Sequence, residues 1–463
     1  MPVCILIYLL AYKLSGKDLR ICNGVLVLEG LVFYWWAEPK LLLFFVSLSL
    51  LLYFLGIAIS NTSSDDEKNM LMIFGVVIFA FLPVIYRYLP SIKIAVEDTP
   101  VTMPLFTAML VPCGIAFYVL GASSYILDIY TGEAIAGSLM DAFAYTLFFP
   151  KAVCGPAVLW RDFSSQLRNR KTDLEKVNDG IRRIIIGYAK KAVLADTFAA
   201  QITLINTKMS TNSTDSLTVW LLGVLYFFRI YCDFSGYSDI AIGLCSIFGF
   251  DIGENFQWPY LSGSVTDFWR RWHISLGRWF REYIYIPLGG NRTGIIYLNI
   301  FITFIISALW HGWKWNLLLW GILNGLAVIL EKAFNRKEKK TTGPHFVSTI
   351  VTVLLVYFGW ILFMAADLTA AGDIFRSLFI SPGGEIPNFT WRFFLTRRTA
   401  VFLVIAAAGS FGVLRKMGDA LKGLIPAAVY DVIDRVFLLV LFAVDIVFVF
   451  GTAYTPFIYT LIP

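Results

Sequence analysis

The run "LLLFFVSLSLLLYFLGIAI" at residues 41–59 contains no charged side chain. A helix needs roughly 20 apolar residues to cross the hydrocarbon core of a bilayer, so this run predicts a membrane-spanning helix. The run "NMLMIFGVVIFAFLPVIY" at 69–86 has the same character, and similar runs recur to the end of the chain. Unbroken apolar runs favour helices over an outer-membrane barrel, whose strands alternate apolar and polar residues.

The composition agrees with this interpretation. Of the 463 residues, 58% are hydrophobic and 15% are charged, whereas an ordinary globular protein has about 25% charged residues. The mean hydropathy is +0.71. These values exclude an ordinary soluble enzyme and predict membrane lipid as the surroundings of the chain. We attribute the net charge of +6 to the excess of basic residues that cytoplasmic loops carry. Nucleic acid is therefore not an expected partner.

The apolar runs predict an all-α polytopic membrane protein that forms one integral-membrane domain over residues 1–463. The predicted spans lie near 2–12, 21–36, 41–60, 70–90, 105–127, 184–201, 217–248, 346–366, 399–414 and 436–461, with two further apolar stretches at 295–310 and 314–331. The segments 367–398 and 415–432 are expected to be peripheral, because their charged residues suit amphipathic surface helices better than spans.

Lysine and arginine clusters orient the chain, because they accumulate in cytoplasmic loops. Such clusters occupy 161–183, 332–340 and 415–435. Counting spans outward from them places both termini on the extracytoplasmic side, with the polar loop 206–216. The loop 61–69 fits this orientation poorly, since it would be cytoplasmic with one lysine against three acidic residues.

The apolar pattern breaks between 249 and 294, where the chain reads "GFDIGENFQWPYLSGSVTDFWRRWHISLGRWFREYIYIPLGGNRTG". This segment is too polar to span a membrane. Aromatic residues at roughly helical spacing predict a helix from Thr266 to Tyr285, with Thr266 and Asp267 supplying N-capping oxygens. The helix is expected to lie in the membrane interface or to line a cavity.

The chain has three histidines. His345 lies in a basic linker and is most simply a solvated loop residue. His311 lies between two strongly apolar stretches, and an ionisable residue at membrane depth marks a functional site by default. The alternative is a structural histidine whose nitrogens are satisfied by neighbouring helices. His273, between tryptophan and arginine residues, would on its own favour such a structural role.

A second polar cluster, "YCDFSGYSDIAIGL" at 231–244, places Asp233 and Asp239 in an apolar helix. Both carboxylates are costly there unless they face a wet cavity or pair with cations. Ser235 and Gly236 are better explained by close helix packing. The six cysteines show no metal-ligand spacing, so they are expected to be small buried residues, and neither a metal nor a tightly bound cofactor is expected. No hydrolase nucleophile motif is present, which favours a mechanism in which the acceptor itself attacks.

Together, "CDFSGYSDIAIG", "NFQWPYL", "DFWRRWHISLGRWFREYIYIPLGGNR" and "SALWHG" resemble the membrane-bound O-acyltransferases. The resemblance is greatest to the bacterial polysaccharide O-acetyltransferase branch, which includes the alginate O-acetyltransferases. The segment 148–167, "FFPKAVCGPAVLWRDFSSQL", and the segment 451–459, "GTAYTPFIY", resemble that branch as well. The resemblance implies a ring of about 10–12 transmembrane helices, with interfacial and re-entrant helices, around a central tunnel.

The resemblance also implies roles for individual residues in a motif region at about 229–331. His311 would be the catalytic histidine, acting as general base, and His273 its partner. Four arginines are candidates for binding the phosphates of the donor: Arg270, Arg271, Arg278 and Arg281. Anchoring at the cytoplasmic face is the alternative, and it is favoured for at least two of them. Further candidates for a substrate or donor tunnel are Trp269, Trp310, Asp233, Asp239, Asn255 and Tyr260.

The function that the resemblance implies is transfer of acetyl from a cytoplasmic thioester, most simply acetyl-CoA, across the bacterial inner membrane to an exported polysaccharide. An extracytoplasmic acetyltransferase or carrier is an expected partner. A related branch transfers D-alanine from a carrier protein to teichoic acid, and it shares the "FSGY" and "RWHISL" elements; "YIPLGGNR" favours the acetylating branch. A transporter of polymer or acyl groups is the alternative from another class.

Overall fold

The computed structural model describes residues 1–37, 39, 42–97, 114–211, 214–334, 346–382, 387–451 and 455–457. These residues form helices and connecting turns, with two isolated β-bridges and no strand among them. Five of the helices are long and apolar enough to cross a membrane, or six if the bent pair Arg397–Ser410 and Val413–Leu424 forms one span. The predicted all-α, polytopic class is therefore confirmed, whereas the ring of about 10–12 spanning helices stays a prediction.

The chain forms two compact units. The first comprises residues 1–181 and 241–253, and the second comprises 182–240 and the described residues from 254 onward. The helices of the first unit are α1 (Pro2–Leu14), α2 (Leu19–Ala37), α3 (Leu42–Asn61), α4 (Asp65–Glu97), α5 (Ile115–Tyr130), α6 (Leu139–Thr146) and α7 (Trp160–Asn169). Two helices contribute residues to both units, α8 (Leu174–Tyr188) and α10 (Ser216–Ile247).

The second unit carries most of the motif region. Its helices are α9 (Asp196–Met209), α11 (Val265–Arg271), α12 (Ile274–Phe280), α13 (Ile296–His311), α14 (Trp315–Phe334), α15 (Phe346–Met364), α16 (Leu368–Ser377), α17 (Trp391–Phe394), α18 (Arg397–Ser410), α19 (Val413–Leu424) and α20 (Ala427–Gly451). Two π-helical turns occupy Ala189–Ala195 and Arg281–Tyr285.

Each predicted span overlaps a helix in the part of the chain that the structure describes, and three of the differences in extent change how a span is built. The run 184–201 covers the end of α8, a π-helical turn and the start of α9. The run 399–414 covers α18 and a 71° bend into α19. The last predicted span, 436–461, corresponds to α20, which begins earlier at Ala427 and ends at Gly451, and the described residues 455–457 are not helical. Part of the predicted span 105–127, His345 and most of the basic stretch 332–340 lie outside the described residues.

The segment 148–167 builds the core of the first unit. Trp160 and Phe163 are fully buried, and the Trp160 indole N–H donates to the Ile135 carbonyl at 2.9 Å. The ring centroids of Phe148 and Phe163 lie 5.0 Å apart. Lys151 lies over the Tyr145 ring, with its Nζ 3.2 Å from the ring centroid. Aromatic packing thus holds this segment, whose residues from Trp160 onward belong to α7.

In the second unit, helices α8 and α10 approach closely at two glycines. A Cβ at Gly236 would lie 2.8 Å from the carbonyl oxygen of Gly187, and one at Gly187 would lie 2.6 Å from the carbonyl oxygen of Gly236. Both positions therefore exclude a side chain. This confirms the packing role that the sequence predicts for Gly236.

The predicted continuous helix from Thr266 to Tyr285 is wrong. Helix α11 ends at Arg271, and His273 adopts a left-handed backbone conformation with φ of +47° before α12 begins. The N-cap is also different: the Ser264 side chain accepts the backbone N–H of Asp267 at 3.0 Å. The sequence did not signal the break, because a histidine is not a residue that marks left-handed backbone as glycine does.

The peripheral segment 367–398 also differs from its prediction. Helix α16 forms as expected, with Asp367 accepting the backbone N–H of Ala370 at 2.8 Å. The stretch "TWRFFLTRR" forms only the single turn of α17. Thr396 caps α18 by accepting the Thr399 backbone N–H, so the rest of that stretch belongs to the next helix.

Candidate active site

A cavity of about 470 Å³ lies within the second unit. Its walls come from α11 to α15 and from the π-helical turn that follows α12. The described residues that line it are Thr266, Trp269, Arg270, Trp272, His273, Ile274, Leu276, Gly277, Arg278, Phe280, Arg281, Tyr285, Thr303, Phe304, Ser307, His311, Trp320, Trp360 and Phe363. The structure therefore brings six of the predicted site residues to one cavity: His311, His273, Trp269, Arg270, Arg278 and Arg281.

His311 is the last residue of α13 and is 7% exposed. Aromatic rings surround its imidazole edge to face. The ring centroids of Trp320 and Phe363 lie 5.4 and 5.1 Å from that of His311, and the centroid of Trp310 lies 4.7 Å away. These contacts fix the imidazole in an apolar wall of the cavity.

The helix that carries His311 packs tightly against α14. A Cβ at Gly321 would lie 2.6 Å from the Ala308 Cβ and 2.9 Å from the carbonyl oxygen of Phe304. A glycine at this position lets the two backbones approach closely, as in other membrane helix pairs. The position of His311 in the cavity therefore depends on a residue one helix away.

His273 lies between α11 and α12 and is 3% exposed. Its left-handed backbone is uncommon for a residue with a Cβ, and such conformations cluster at functional sites. The Phe234 ring meets the imidazole edge to face at 4.6 Å between centroids. His273 lies outside the helices that could span the membrane, and burial, with His311 as a second cause, holds its pKa well below the usual range. His273 is therefore neutral at physiological pH.

A short backbone pairing holds the His273 turn in place. Residues 255–257 run antiparallel to 271–274, with a β-bridge between Phe256 and Trp272. The Ile274 N–H donates to the Asn255 carbonyl at 3.0 Å, and the Gln257 N–H donates to the Arg271 carbonyl at 3.0 Å. The left-handed conformation is thus stabilised from both sides of His273.

The Asn255 side chain also contacts this turn. Its Oδ1 lies 3.2 Å from the Nδ1 of His273 and accepts the backbone N–H and the hydroxyl of Ser275 at 3.2 and 2.8 Å. Its Nδ2 donates to the Ser238 hydroxyl on α10 at 3.0 Å. Asn255 is fully buried and is absent from the cavity lining. The structure thus places it behind His273 rather than in a tunnel wall.

The arginines of the motif fall into two groups. Arg270, Arg278 and Arg281 line the cavity. Arg271 does not, and its Nε lies 3.0 Å from the Asp267 carboxylate one helical turn earlier. Three guanidinium groups in one cavity wall suit an anionic ligand, because arginine binds phosphate and carboxylate through paired hydrogen bonds.

The remaining predicted site residues lie outside the cavity lining. Trp310 flanks both histidines, 4.7 Å from His311 and 6.5 Å from His273 between ring centroids. The Tyr260 hydroxyl donates to the Phe227 carbonyl at 2.7 Å, and the two rings stack 3.8 Å apart. Both residues support the aromatic packing around the cavity.

The two carboxylates of α10 pair with lysine and arginine side chains. Asp239 contacts Arg183 at 3.0 Å and Lys190 at 2.6 Å. Asp233 lies 2.8 Å from the Nζ of Lys191, which is also 2.8 Å from Asp196. These pairs satisfy the requirement that a buried charge be compensated, and they place both acids away from the cavity lining.

Aromatic side chains form a continuous cluster behind and beside the histidines. Trp272 contacts the rings of Phe256, Phe268 and Trp360 at centroid distances of 5.0, 5.6 and 4.8 Å. Trp360 in turn stacks with Trp320 at 6.4 Å. We refer to Phe256, Phe268, Trp272, Trp320 and Trp360 as the aromatic cluster.

Two residues that shape the site were not predicted from the sequence. Glu331 on α14 accepts backbone N–H groups at the start of α11. Asn324 accepts the Trp269 indole N–H at 3.0 Å. A polar residue within the apolar run 314–331 was the available signal for Asn324. For Glu331, at the end of that run, no local pattern indicates its contact.

The sequence of this chain is similar to a known family and to several named proteins. The model described as MBOAT, membrane-bound O-acyltransferase family, matches residues 38–369. A probable alginate O-acetylase AlgI of Pseudomonas fluorescens is 36% identical over 381 residues, 81% of this chain and 73% of the relative. A protein of the same name from Pseudomonas putida is 32% identical over 98% of this chain and 96% of its own length. A teichoic acid D-alanyltransferase of Streptococcus thermophilus is 26% identical over 54% of this chain and 63% of its own length.

Proposed function

The chain belongs to the membrane-bound O-acyltransferase family, and from this premise we propose that it transfers acetyl from a cytoplasmic thioester across the membrane for O-acetylation of an exported polysaccharide. It is a multi-pass membrane protein and an acyltransferase. The observation that carries the proposal is the cavity in which His311 and His273 lie together with three arginines.

His311 is the proposed general base. Its imidazole nitrogen takes the proton from an acceptor hydroxyl as the hydroxyl oxygen attacks the thioester carbonyl carbon. The C–O bond forms, the C–S bond breaks, and the thiolate leaves and is protonated by the imidazolium. The products are the acetate ester and the free thiol. Hydrogen-bond donors in the cavity wall would stabilise the oxyanion of the tetrahedral intermediate.

Acetyl-CoA is the proposed donor. Its nucleotide portion carries several phosphate groups, and Arg270, Arg278 and Arg281 are available in the cavity wall to receive them. The apolar rings around His311 suit the acetyl thioester and exclude water, which would otherwise hydrolyse it. No tightly bound cofactor is needed for this chemistry.

The acceptor side of the proposal rests on relatives. Two relatives that cover 81% and 98% of this chain are named for O-acetylation of alginate, a polysaccharide. An exported polysaccharide made by a bacterium is therefore the proposed acceptor class, reached directly or through an extracytoplasmic acetyltransferase or carrier. The chain would then lie in the bacterial cytoplasmic membrane, with both termini on the extracytoplasmic side.

D-Alanyl transfer from a carrier protein to teichoic acid is the second candidate. The observation in its favour is the similarity to a teichoic acid D-alanyltransferase. That similarity covers 54% of this chain, whereas the alginate relatives cover 81% and 98%. Acetyl transfer is accordingly the first candidate.

The test is transfer of radiolabel by the purified full-length chain in nanodiscs. Acetyl-labelled acetyl-CoA or a D-alanyl carrier protein is supplied as donor, with extracted polysaccharide, teichoic acid and candidate extracytoplasmic partners as acceptors. We expect label transfer from acetyl-CoA that disappears in His311→Ala and persists in the control His345→Ala. If label is transferred only from the D-alanyl carrier and not from acetyl-CoA, the transferred group is D-alanine rather than acetyl. Thioester cleavage and transfer at the wild-type rate in folded His311→Ala would overturn the assignment of His311.

A further inference from the structure

We infer that Asn255 is a positioning residue that fixes His273 as the tautomer with its proton on Nδ1, so that Nε2 is the proton-accepting nitrogen of His273. The tautomer follows from the hydrogen bonds around Asn255 alone. Its consequence for the reaction rests on the proposed acyl transfer.

The orientation of the Asn255 amide is set by a backbone group. The Ser275 N–H can only donate, and it lies 3.2 Å from Asn255 Oδ1. The oxygen therefore faces Ser275 and the amide nitrogen faces the Ser238 hydroxyl, 3.0 Å away. Exchanging the two amide atoms would set the Asn255 N–H₂ against the Ser275 N–H, two donors with no acceptor between them.

The same oxygen determines the tautomer of His273. Asn255 Oδ1 has no proton to give, so a hydrogen bond with His273 Nδ1 at 3.2 Å requires Nδ1 to be the donor. In a neutral imidazole one nitrogen carries the proton and the other carries the lone pair. With the proton on Nδ1, the lone pair is on Nε2.

The imidazole ring is also held against rotation. The Ile274 N–H donates to the Asn255 carbonyl, so the backbone and the side chain of Asn255 both contact the turn at His273. Phe234 packs against the ring from α10. The adjacent charged residues are already paired, Glu254 with Arg183 and Arg271 with Asp267. His311 adds to the effect of burial in lowering the pKa of His273.

This arrangement gives His273 a defined role beside His311. A neutral imidazole protonated at Nδ1 can accept a hydrogen bond at Nε2 but cannot donate one there. His273 is therefore excluded as an oxyanion donor while it is neutral. Neutral His273 can instead accept a hydrogen bond at Nε2 from a hydroxyl or an N–H group in the cavity.

The tautomer is tested independently of activity by ¹⁵N NMR of the full-length chain labelled only at histidine. The three histidines are assigned with the variants His345→Gln and His311→Gln. We expect a protonated Nδ1 and an unprotonated Nε2 for His273 in the wild-type chain, and loss of this preference in Asn255→Leu. A wild-type His273 protonated at Nε2, or protonated at both nitrogens at neutral pH, would overturn the inference.

Kinetics then test the positioning role. Asn255→Leu is expected to lower kcat about tenfold or more, because a correctly positioned proton-transfer group usually contributes at least that much to the rate. Asn255→Asp keeps an acceptor oxygen and is expected to restore most of kcat. Its added negative charge raises the pKa of His273, so the acidic limb of the kcat profile moves to higher pH. The control is Asn299→Leu, which removes a buried amide that bonds Gly290 and Thr293.

The outcomes separate the two proposals. Equal kcat losses in Asn255→Leu, Asn255→Asp and Asn299→Leu, with no change in pH profile, would reduce Asn255 to a structural residue and overturn the positioning role. If Asn255→Leu does not fold, Asn255→Asp still tests the profile. A chain with the expected NMR signature but without acyl transfer would refute the proposed function and leave the tautomer standing.

Discussion

Glu331 accepts the backbone N–H of Thr266 at 2.8 Å, and the same carboxylate oxygen accepts the Thr266 hydroxyl at 2.7 Å. The other oxygen accepts the Val265 N–H at 2.6 Å. A carboxylate at the start of a helix satisfies free N–H groups and interacts favourably with the helix dipole. Glu331 belongs to α14, so it ties the start of α11, and with it Trp269 and Arg270, to a different helix of the cavity wall.

Replacing Glu331 with glutamine is therefore expected to destabilise the chain by about 1–3 kcal/mol, because an amide cannot accept at both atoms and leaves a buried N–H unpaired. The measurement is thermal unfolding in detergent, together with the donor KM, which should rise as α11 shifts. Glu175→Gln, at an exposed position of α8, is the control. Equal unfolding temperatures in the two variants would contradict this role.

Charge removal at the cavity arginines tests their role in donor binding. Arg270→Gln, Arg278→Gln and Arg281→Gln are each expected to raise the KM for acetyl-CoA about tenfold where the guanidinium contacts a phosphate, with little change in kcat. Arg271→Gln, whose partner is Asp267, should leave KM unchanged. Acetyl-pantetheine lacks the nucleotide phosphates. If the same variants raise the KM for acetyl-pantetheine equally, the arginines do not act through those phosphates.

The close approach of α13 and α14 predicts strong sensitivity at Gly321. Gly321→Ala places a methyl group 2.6 Å from the Ala308 Cβ, so the helices must separate. Overpacking of this kind costs about 1–3 kcal/mol. Both the unfolding temperature and kcat should fall, because His311 lies one turn beyond Ala308. Gly372→Ala is the control, since a Cβ there meets nothing within 4 Å. Wild-type kcat in Gly321→Ala would show that catalysis does not depend on the close packing of α13 and α14.

The buried Lys191 predicts a charge-compensation effect. Its Nζ contacts Asp196 and Asp233 at 2.8 Å each and donates to the Thr455 carbonyl at 2.7 Å. Lys191→Met removes the lysine partner that two carboxylates share and is expected to cost about 3–5 kcal/mol. The double variant Lys191→Met/Asp233→Asn should recover part of that loss in thermal unfolding. No recovery would show that the lysine acts through the Thr455 carbonyl.

The size of the Lys191 effect is judged against an exposed pair. Arg415 and Asp419 lie 3.7 Å apart on α19, with both side chains more than two-thirds exposed. Arg415→Met should cost at most about 1 kcal/mol, because solvent screens exposed pairs. A Lys191→Met effect no larger than this would contradict burial as the source of its importance.

The sequence predicted the helical class and the two cavity histidines because these depend on local or recurring signals. Long apolar runs identify helices without any knowledge of their tertiary contacts. His311 is recognisable because it is an ionisable residue between two such runs. The motif around His273 is dense in arginine and tryptophan, so most of its candidates reached the cavity. Arg271 did not, because its place in the helix turns it toward Asp267.

Other features depend on contacts between residues distant in the chain, and no periodicity reveals them. The break at His273 is imposed by backbone pairing with residues 255–257. The role of Asn255 required the positions of Ser238 and Ser275. The cap from Glu331 comes from more than sixty residues away. In each case tertiary structure overrode the local preference for a continuous, self-capped helix.

The aromatic cluster has a consequence for how this site can diverge among descendants. Packed interiors transmit a change of volume to their neighbours, and Trp272 and Trp360 touch at 4.8 Å between centroids. A smaller ring at one position leaves a void beside the histidines unless the other position gains bulk. Single exchanges are therefore costly, and relatives that differ from this chain at one of positions 272 and 360 should tend to differ at both.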